Sequence, residues 1–150
     1  MKSVASHSLE ETSALASQWL SKIVAGANDS ANSGATIVAL NGQLGSGKTT
    51  FVQAVARELG IAATVTSPTF VIMKKYKLNT THFKTLIHID AYRLESGDDL
   101  NALEFADIVA DPGNLILIEW ADNVKSGLPA DIEEIDFEYV GENDRKISFK

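Results

Sequence analysis

Apolar residues at Leu15, Ala16, Trp19, Leu20, Ile23 and Val24 recur at steps of three and four, which predicts one amphipathic helix. Ser8 opens it, with Glu11 three positions later in the pattern of a capping box. Ahead of it, Lys2 to Ser6 reads as a short edge strand; behind it, "GANDSANSG" (Gly26 to Gly34) reads as a loop. "TIVAL" (Thr36 to Leu40) is an apolar run rich in β-branched residues and predicts a buried strand. The helical spacing returns from about Lys48, with Phe51, Val52, Val55 and Leu59 on one face and Gly60 as its stop.

The second half is richer in strand signals. Phe70 to Tyr76, Thr85 to Asp90 and Asn114 to Trp120 read as strands, and Leu100 to Val109 as one or two short helices. Ile135 to Val140 and Lys146 to Phe149 predict a terminal hairpin around "GEND". "TSPTF" (Thr66 to Phe70) cannot be helical throughout, because Pro68 restricts Ser67. Early strand–helix alternation followed by adjacent strands predicts an α/β fold: one domain over residues 1–150, a mostly parallel central sheet flanked by helices, with antiparallel additions at the C-terminal end. No repeat, linker or low-complexity tract divides the chain.

Composition narrows the class. The 150 residues are 45% hydrophobic and 22% charged, ordinary for a globular domain with a real core. There are no cysteines, which excludes disulfides and thiolate metal sites and fits a reducing compartment. Glu10 and Glu11 interrupt the region a signal peptide would occupy, and the apolar runs are too short for a bilayer span, so a soluble, cytoplasmic protein is expected. The net charge of −7 argues against broad nucleic-acid binding. Six acids and no base lie between Glu95 and Asp111, and seven acids and no base between Asp131 and Asp144. Lys74, Lys75, Lys77 and Lys84 form the one basic cluster. Each charged block is either a solvated face or a docking surface.

The chemistry is carried by "GQLGSGKTT", where Gly42 is followed after four residues by Gly47, Lys48 and Thr49. A glycine-rich turn between a strand and a helix lets successive backbone N–H groups of Gln43, Leu44, Gly45, Ser46, Gly47 and Thr50 point at phosphate oxygens beside the helix N-terminus. Lys48 then reaches the β- and γ-phosphates, and the Thr49 hydroxyl is a ligand for Mg²⁺. Such a loop needs an acid that ends an apolar strand nearby, and the sequence offers two, Asp90 in "LIHID" and Glu119 in "LILIEW". Strand alternation puts Leu86, His88 and Asp90 on one side and Ile87 and Ile89 on the other. With no cysteine and no second well-placed histidine, His88 reads as a packed, hydrogen-bonded residue in preference to a zinc ligand. Arg93 is a phosphate clamp or a partner of the nearby acids, and Trp120 is core or interface. The hydroxyls of "TSPTF" either face a γ-phosphate or belong to an ordinary turn.

"GQLGSGKTTF", "TSPTF", "HIDAYRL", "LIEWAD" and Leu128-Pro129, in this order and spacing, resemble the TsaE (YjeE) family of small bacterial P-loop ATPases. The likeness runs from about Ser8 through Pro129; the residues after about Ile132 match only loosely. It implies an enzyme that binds ATP and Mg²⁺ and hydrolyses ATP slowly alone. It also implies partnership with TsaB and TsaD, which modify adenosine 37 of tRNAs reading ANN codons to threonylcarbamoyladenosine (t6A). By the resemblance, Lys48 and Thr49 match the P-loop pair, Asp90 the acid of His-x-Asp-x-Tyr-Arg and Glu119 the acid before the tryptophan. Thr69 would face the nucleotide, and Thr12, in the pair Glu11-Thr12, would lie near the base. Gln43, Ala91 and Ala121 depart from the family's usual residues, and none of these removes a catalytic group.

Three other classes compete. A small-molecule or nucleoside kinase would share the loop and use Asp90 as base, but it normally carries an arginine-rich lid, and the segment after Arg93 is acidic. A non-catalytic binding module is disfavoured by the intact set of Lys48, Thr49, Asp90 and Glu119. A GTPase would want Asn-Lys-x-Asp, which the chain lacks.

Overall fold

The fold was obtained as a computed structural model that describes residues 2–27, 34–62, 65–66, 68 and 71–150. Seven strands form one sheet: β1 (Lys2–Ser6), β2 (Thr36–Gly42), β3 (Met73–Lys77), β4 (Thr85–Asp90), β5 (Asn114–Glu119), β6 (Glu133–Tyr139) and β7 (Arg145–Phe149). Their order across the sheet is β1-β7-β6-β2-β5-β4-β3. The four central strands, β6, β2, β5 and β4, run parallel. β7 joins β6 antiparallel, as the hairpin pattern predicts; β1, the expected edge strand, pairs antiparallel with β7, and β3 adds a further antiparallel strand at the opposite edge.

Helices α1 (Leu9–Ala27) and α2 (Lys48–Glu58) cover one face. The predicted stripe is the buried one: Ala16, Trp19 and Leu20 pack with Phe51, Val52, Val55 and Leu59 over Val38, Leu40, Leu86, Leu115 and Leu117. Phe51 is fully buried, within 5.4 Å of both the Trp19 and the Phe137 ring centroids, so truncation to alanine should cost about 3–5 kcal/mol. On the other face, α3 (Phe105–Ala110) and two 3-10 segments, Gly97–Leu103 and Ala121–Gly127, pack Leu100, Phe105, Ile108 and Val124 over Ile37, Ile87, Ile89, Ile116 and Ile118. Strand β5 is buried along its whole length because alternate residues serve both cores, which is why it reads as an unbroken apolar run.

Local signals mostly hold. The Glu11 N–H donates to Ser8 Oγ at 3.1 Å, but the Glu11 carboxylate accepts from the His7 N–H, one residue before the partner a standard capping box uses. Helix α1 continues through Ala27, so Gly26 belongs to its last turn, and residues 28–33 of the expected loop lie outside the described residues. Helix α2 ends in a Schellman pattern, with Gly60 N–H on Arg57 O and Ile61 N–H on Ala56 O, both 3.0 Å. The expected strand from Phe70 begins at Met73; Phe70 lies outside the described residues. Lys74, Lys75 and Lys77 stand on β3, an edge strand, where charge guards against further strand pairing. No helix among the described residues is long and apolar enough to cross a membrane.

Candidate functional site

The site lies at the C-terminal edge of the parallel strands, where an α/β sheet opens a crevice. Register explains its assembly. Strand β5 pairs with β2 on one side, setting Glu119 opposite Leu40, and with β4 on the other, setting Glu119 opposite Asp90. The two acids that close apolar strands therefore emerge side by side, next to the loop that leaves β2. The cleft, about 390 Å³, is lined by Leu44 to Thr50 together with Asp90, Tyr92, Glu119 and Trp120.

The loop's course depends on Gly42. It has φ +153°, and a Cβ there would stand 2.5 Å from the Phe137 carbonyl oxygen and 2.6 Å from Ser46 Oγ. A side chain would push β2 off β6 just where the chain turns into the phosphate grip. Gly45 and Gly47 also have positive φ, and Gly47 precedes the first helical residue, Lys48, so the helix N-terminus opens at the loop.

Lys48 is only 4% exposed, so its charge must be answered locally. Its Nζ donates to Gly42 O at 2.5 Å and Gln43 O at 2.9 Å and sits 4.3 Å from the centre of the Trp120 ring. Burial pushes its ammonium below the ordinary lysine value, and the charges of Glu119 and Asp90 pull it partly back. The Thr49 hydroxyl donates to Glu119 Oε1 at 2.9 Å. Glu119 Oε2 lies 2.5 Å from His88 Nε2, and both side chains are buried. Asp90 Oδ1 accepts from the Tyr92 N–H at 3.0 Å, which turns the chain sharply after β4.

These oxygen groups suit a hard cation such as Mg²⁺, which takes one or two protein ligands plus phosphate and water oxygens. Among the described residues no group of three or more His, Asp or Glu side chains converges as a full protein cage. Thr49 and Glu119, already in contact, are the natural pair for such an ion, with Asp90 beside them.

Lys48 and Thr49, adjacent in the loop, meet Asp90 and Glu119, from two distant strands, in one cleft. Thr12 does not line it: Thr12 is buried, and its hydroxyl shares a 2.7 Å hydrogen bond with Ser6 Oγ. Thr69 lies outside the described residues, as do Ser67 and Phe70 of "TSPTF". The end of that segment is nevertheless tied to the site. Ile72 donates to Pro68 O at 2.5 Å, adopts φ +70°, and accepts from the Asp90 N–H at 2.8 Å. Arg93 is exposed and is not part of the cleft lining.

Among the lining residues, Tyr92 was not singled out by the sequence, and Trp120 was singled out only as core or interface. Trp120 is neither plain core nor free surface. With φ +57° it turns back after β5, its N–H on Leu40 O at 3.2 Å, and lays its ring under Lys48 and 5.1 Å from the Tyr92 ring. The available signal was adjacency: each aromatic follows a site acid by one or two positions.

Sequence and structure comparisons point one way. A family model described as "Threonylcarbamoyl adenosine biosynthesis protein TsaE" matches residues 6–147. The chain is 40% identical over 113 residues to the Rickettsia felis "tRNA threonylcarbamoyladenosine biosynthesis protein TsaE", covering 75% of this chain and 63% of that protein. It thus spans a little under two thirds of that relative's length. The Bacillus subtilis protein of the same description is 36% identical over 114 residues, 75% of this chain and 68% of its own. The crystal structure of Bacillus subtilis YdiB superposes with a TM-score of 0.71 at 29% identity, covering 99% of this chain and 83% of that one. A family match over nearly the whole chain, joined to a phosphate loop and two strand-end acids in one cleft, places this protein in the TsaE family.

Proposed function

We propose that the chain is the ATP-binding and ATP-hydrolysing subunit of the machinery that makes t6A at position 37 of tRNAs reading ANN codons, working in the cytoplasm with TsaB and TsaD. The carrying observation is the contact of Thr49 with Glu119 beside Lys48 and Asp90, at the mouth of a glycine loop, in a chain of this family. Backbone N–H groups from Gln43 to Thr50 grip the phosphates, and Lys48 exchanges its loop carbonyls for β- and γ-phosphate oxygens. Thr49 and Glu119, with Asp90, would hold Mg²⁺, which would supply charge neutralisation to the phosphate oxygens. Asp90, fixed by the Tyr92 N–H, is placed to orient the attacking water. Thr69 and Thr12 are assigned to the nucleotide side by family resemblance, Thr12 from the position that Ser6 holds.

Phosphate grip alone leaves the reaction slow, because among the described residues no arginine reaches the cleft lining. That favours a partner that completes the site, and the net charge of −7 favours tRNA contact through the complex over tight direct capture. A kinase lid is disfavoured in that the acidic segment after Arg93 is packed down, with Leu100 and Phe105 buried. The test is steady-state phosphate release with and without the purified TsaB–TsaD pair, alongside size-exclusion chromatography in ATP. A changed rate with co-migration is expected; an unchanged rate with no co-migration removes the reading.

A further inference from the structure

Among the described residues, His88 is a fully buried ionisable side chain next to the cleft to which the proposed chemistry assigns no task. It stands within β4, between Leu117 on β5 and Lys74 on β3, so its backbone is fixed by strands on both sides. Its Nε2 lies 2.5 Å from Glu119 Oε2, while Glu119 Oε1 accepts from the Thr49 hydroxyl at 2.9 Å. A carboxylate only accepts, so Nε2 carries the hydrogen and donates. Among the described residues, buried His88 Nδ1 has no hydrogen-bond partner. A second N–H at that atom would be a buried donor without an acceptor, so the hydrogen-bond pattern selects the Nε2–H tautomer.

We propose that His88 is a positioning residue for the metal-side acid: it clamps Glu119 Oε2 so that Oε1 stays turned toward Thr49. The consequence for turnover rests on the proposed ATPase reading; the clamp itself does not. A carboxylate held at one oxygen cannot swing about its terminal torsion. Mg²⁺ demands near-ideal octahedral geometry, so a loose Glu119 would lose metal affinity before it lost phosphate grip. Outer partners of metal ligands have this effect elsewhere, removal costing about 10–100-fold in metal affinity or activity. Here the usual order is inverted, with a histidine orienting the carboxylate. Geometry also divides the acids. Glu119 has both oxygens committed, to Thr49 on α2 and to His88 within β4, whereas Asp90 Oδ1 accepts from the N–H of Tyr92 in its own turn.

Two arms test the clamp. In the first, long-range ¹⁵N NMR of the histidine rings, without nucleotide, should show one ring protonated at Nε2 with a bare Nδ1, its Nε2 resonance shifting in Glu119→Gln. Protonation at Nδ1, or no response to Glu119→Gln, overturns the proposal whether or not the protein hydrolyses ATP. In the second, His88→Met keeps the volume and removes the donor, and His88→Gln restores an N–H at similar reach. His88→Met should raise the half-saturating Mg²⁺ concentration and lower kcat, each about tenfold, with metal-free ATP affinity within about twofold of the parent. His88→Gln should recover most of both. Parent-like Mg²⁺ dependence in folded His88→Met, or equal damage in the two variants at equal melting temperature, refutes the clamp. A parent that hydrolyses no ATP would instead sink the functional reading, leaving the NMR arm to decide the clamp.

Discussion

Asp90 and Glu119 stand directly opposite each other at the ends of neighbouring parallel strands, each with about 3% of its surface exposed. Two carboxylates so close and so dry call for cations; Lys48 supplies one, and in the proposed reading a divalent ion would supply the rest. That pairing makes the site's charge balance, more than its shape, the property to perturb.

Lys48→Ala should leave the protein folded and lower ATP hydrolysis by about 10²–10³-fold, since a charge-assisted phosphate contact in the transition state is lost. Circular dichroism and phosphate release together check this. A folded mutant hydrolysing at the parent rate would remove the loop from the chemistry.

Asp90→Ala and Glu119→Ala should each reduce turnover by more than they weaken nucleotide binding, because backbone amides supply most of the grip while the acids place metal or water. Single-turnover rates set beside equilibrium titration of a fluorescent nucleotide separate the two effects. Parent turnover in either mutant would reduce that acid to a solvated strand end.

Gly42→Ala and Gly45→Ala should differ sharply although both glycines have positive φ. At Gly42 the new methyl meets the Phe137 backbone oxygen at 2.5 Å, whereas at Gly45 nothing lies within 4 Å. Urea melts at constant slope should show a loss of about 3 kcal/mol or more for Gly42→Ala and about 1–2 kcal/mol for Gly45→Ala. Equal losses would mean that the close approach of β2 to β6 at Gly42 is not the constraint.

Nucleotide binding should take up a proton under alkaline conditions. Burial holds the Lys48 ammonium below the ordinary 10.5 in the free protein, and a polyphosphate favours the charged amine and raises it again. Between those two values the complex carries a proton that the free protein lacks, so affinity should weaken as pH rises through that window. Calorimetry in buffers of different ionisation heat reads the uptake directly, and Lys48→Met should abolish it. The same depressed lysine has the opposite sign for folding. Below its folded value the buried charge is a full burden. Stability then rises with pH up to the unfolded value, because the unfolded chain binds more protons there.

Whatever depends on neighbours in sequence was readable from the chain. The phosphate loop is one contiguous segment whose glycines, lysine and threonine act within a single turn, so spacing alone revealed Lys48 and Thr49. The α1 and α2 stripes were legible because helical periodicity reports a buried face directly, and Asp90 and Glu119 because an acid that ends an apolar run stands out. Folding decided the rest. Which strand lies beside which follows from pairing between distant segments, and only the order β6-β2-β5-β4 brings Glu119 next to both Thr49 and Asp90. The left-handed turn at Trp120, which carries an indole under Lys48, is a backbone state that propensity does not announce for a large aromatic residue. The pairing of His88 with Glu119 likewise lies across strands, a diagonal contact set by register to the residue. Periodicity could say which side of β4 His88 faces; a partner 31 residues away appears only when two strands lock into one register, because cross-strand contacts are chosen by the packing of the whole sheet and not by local preference.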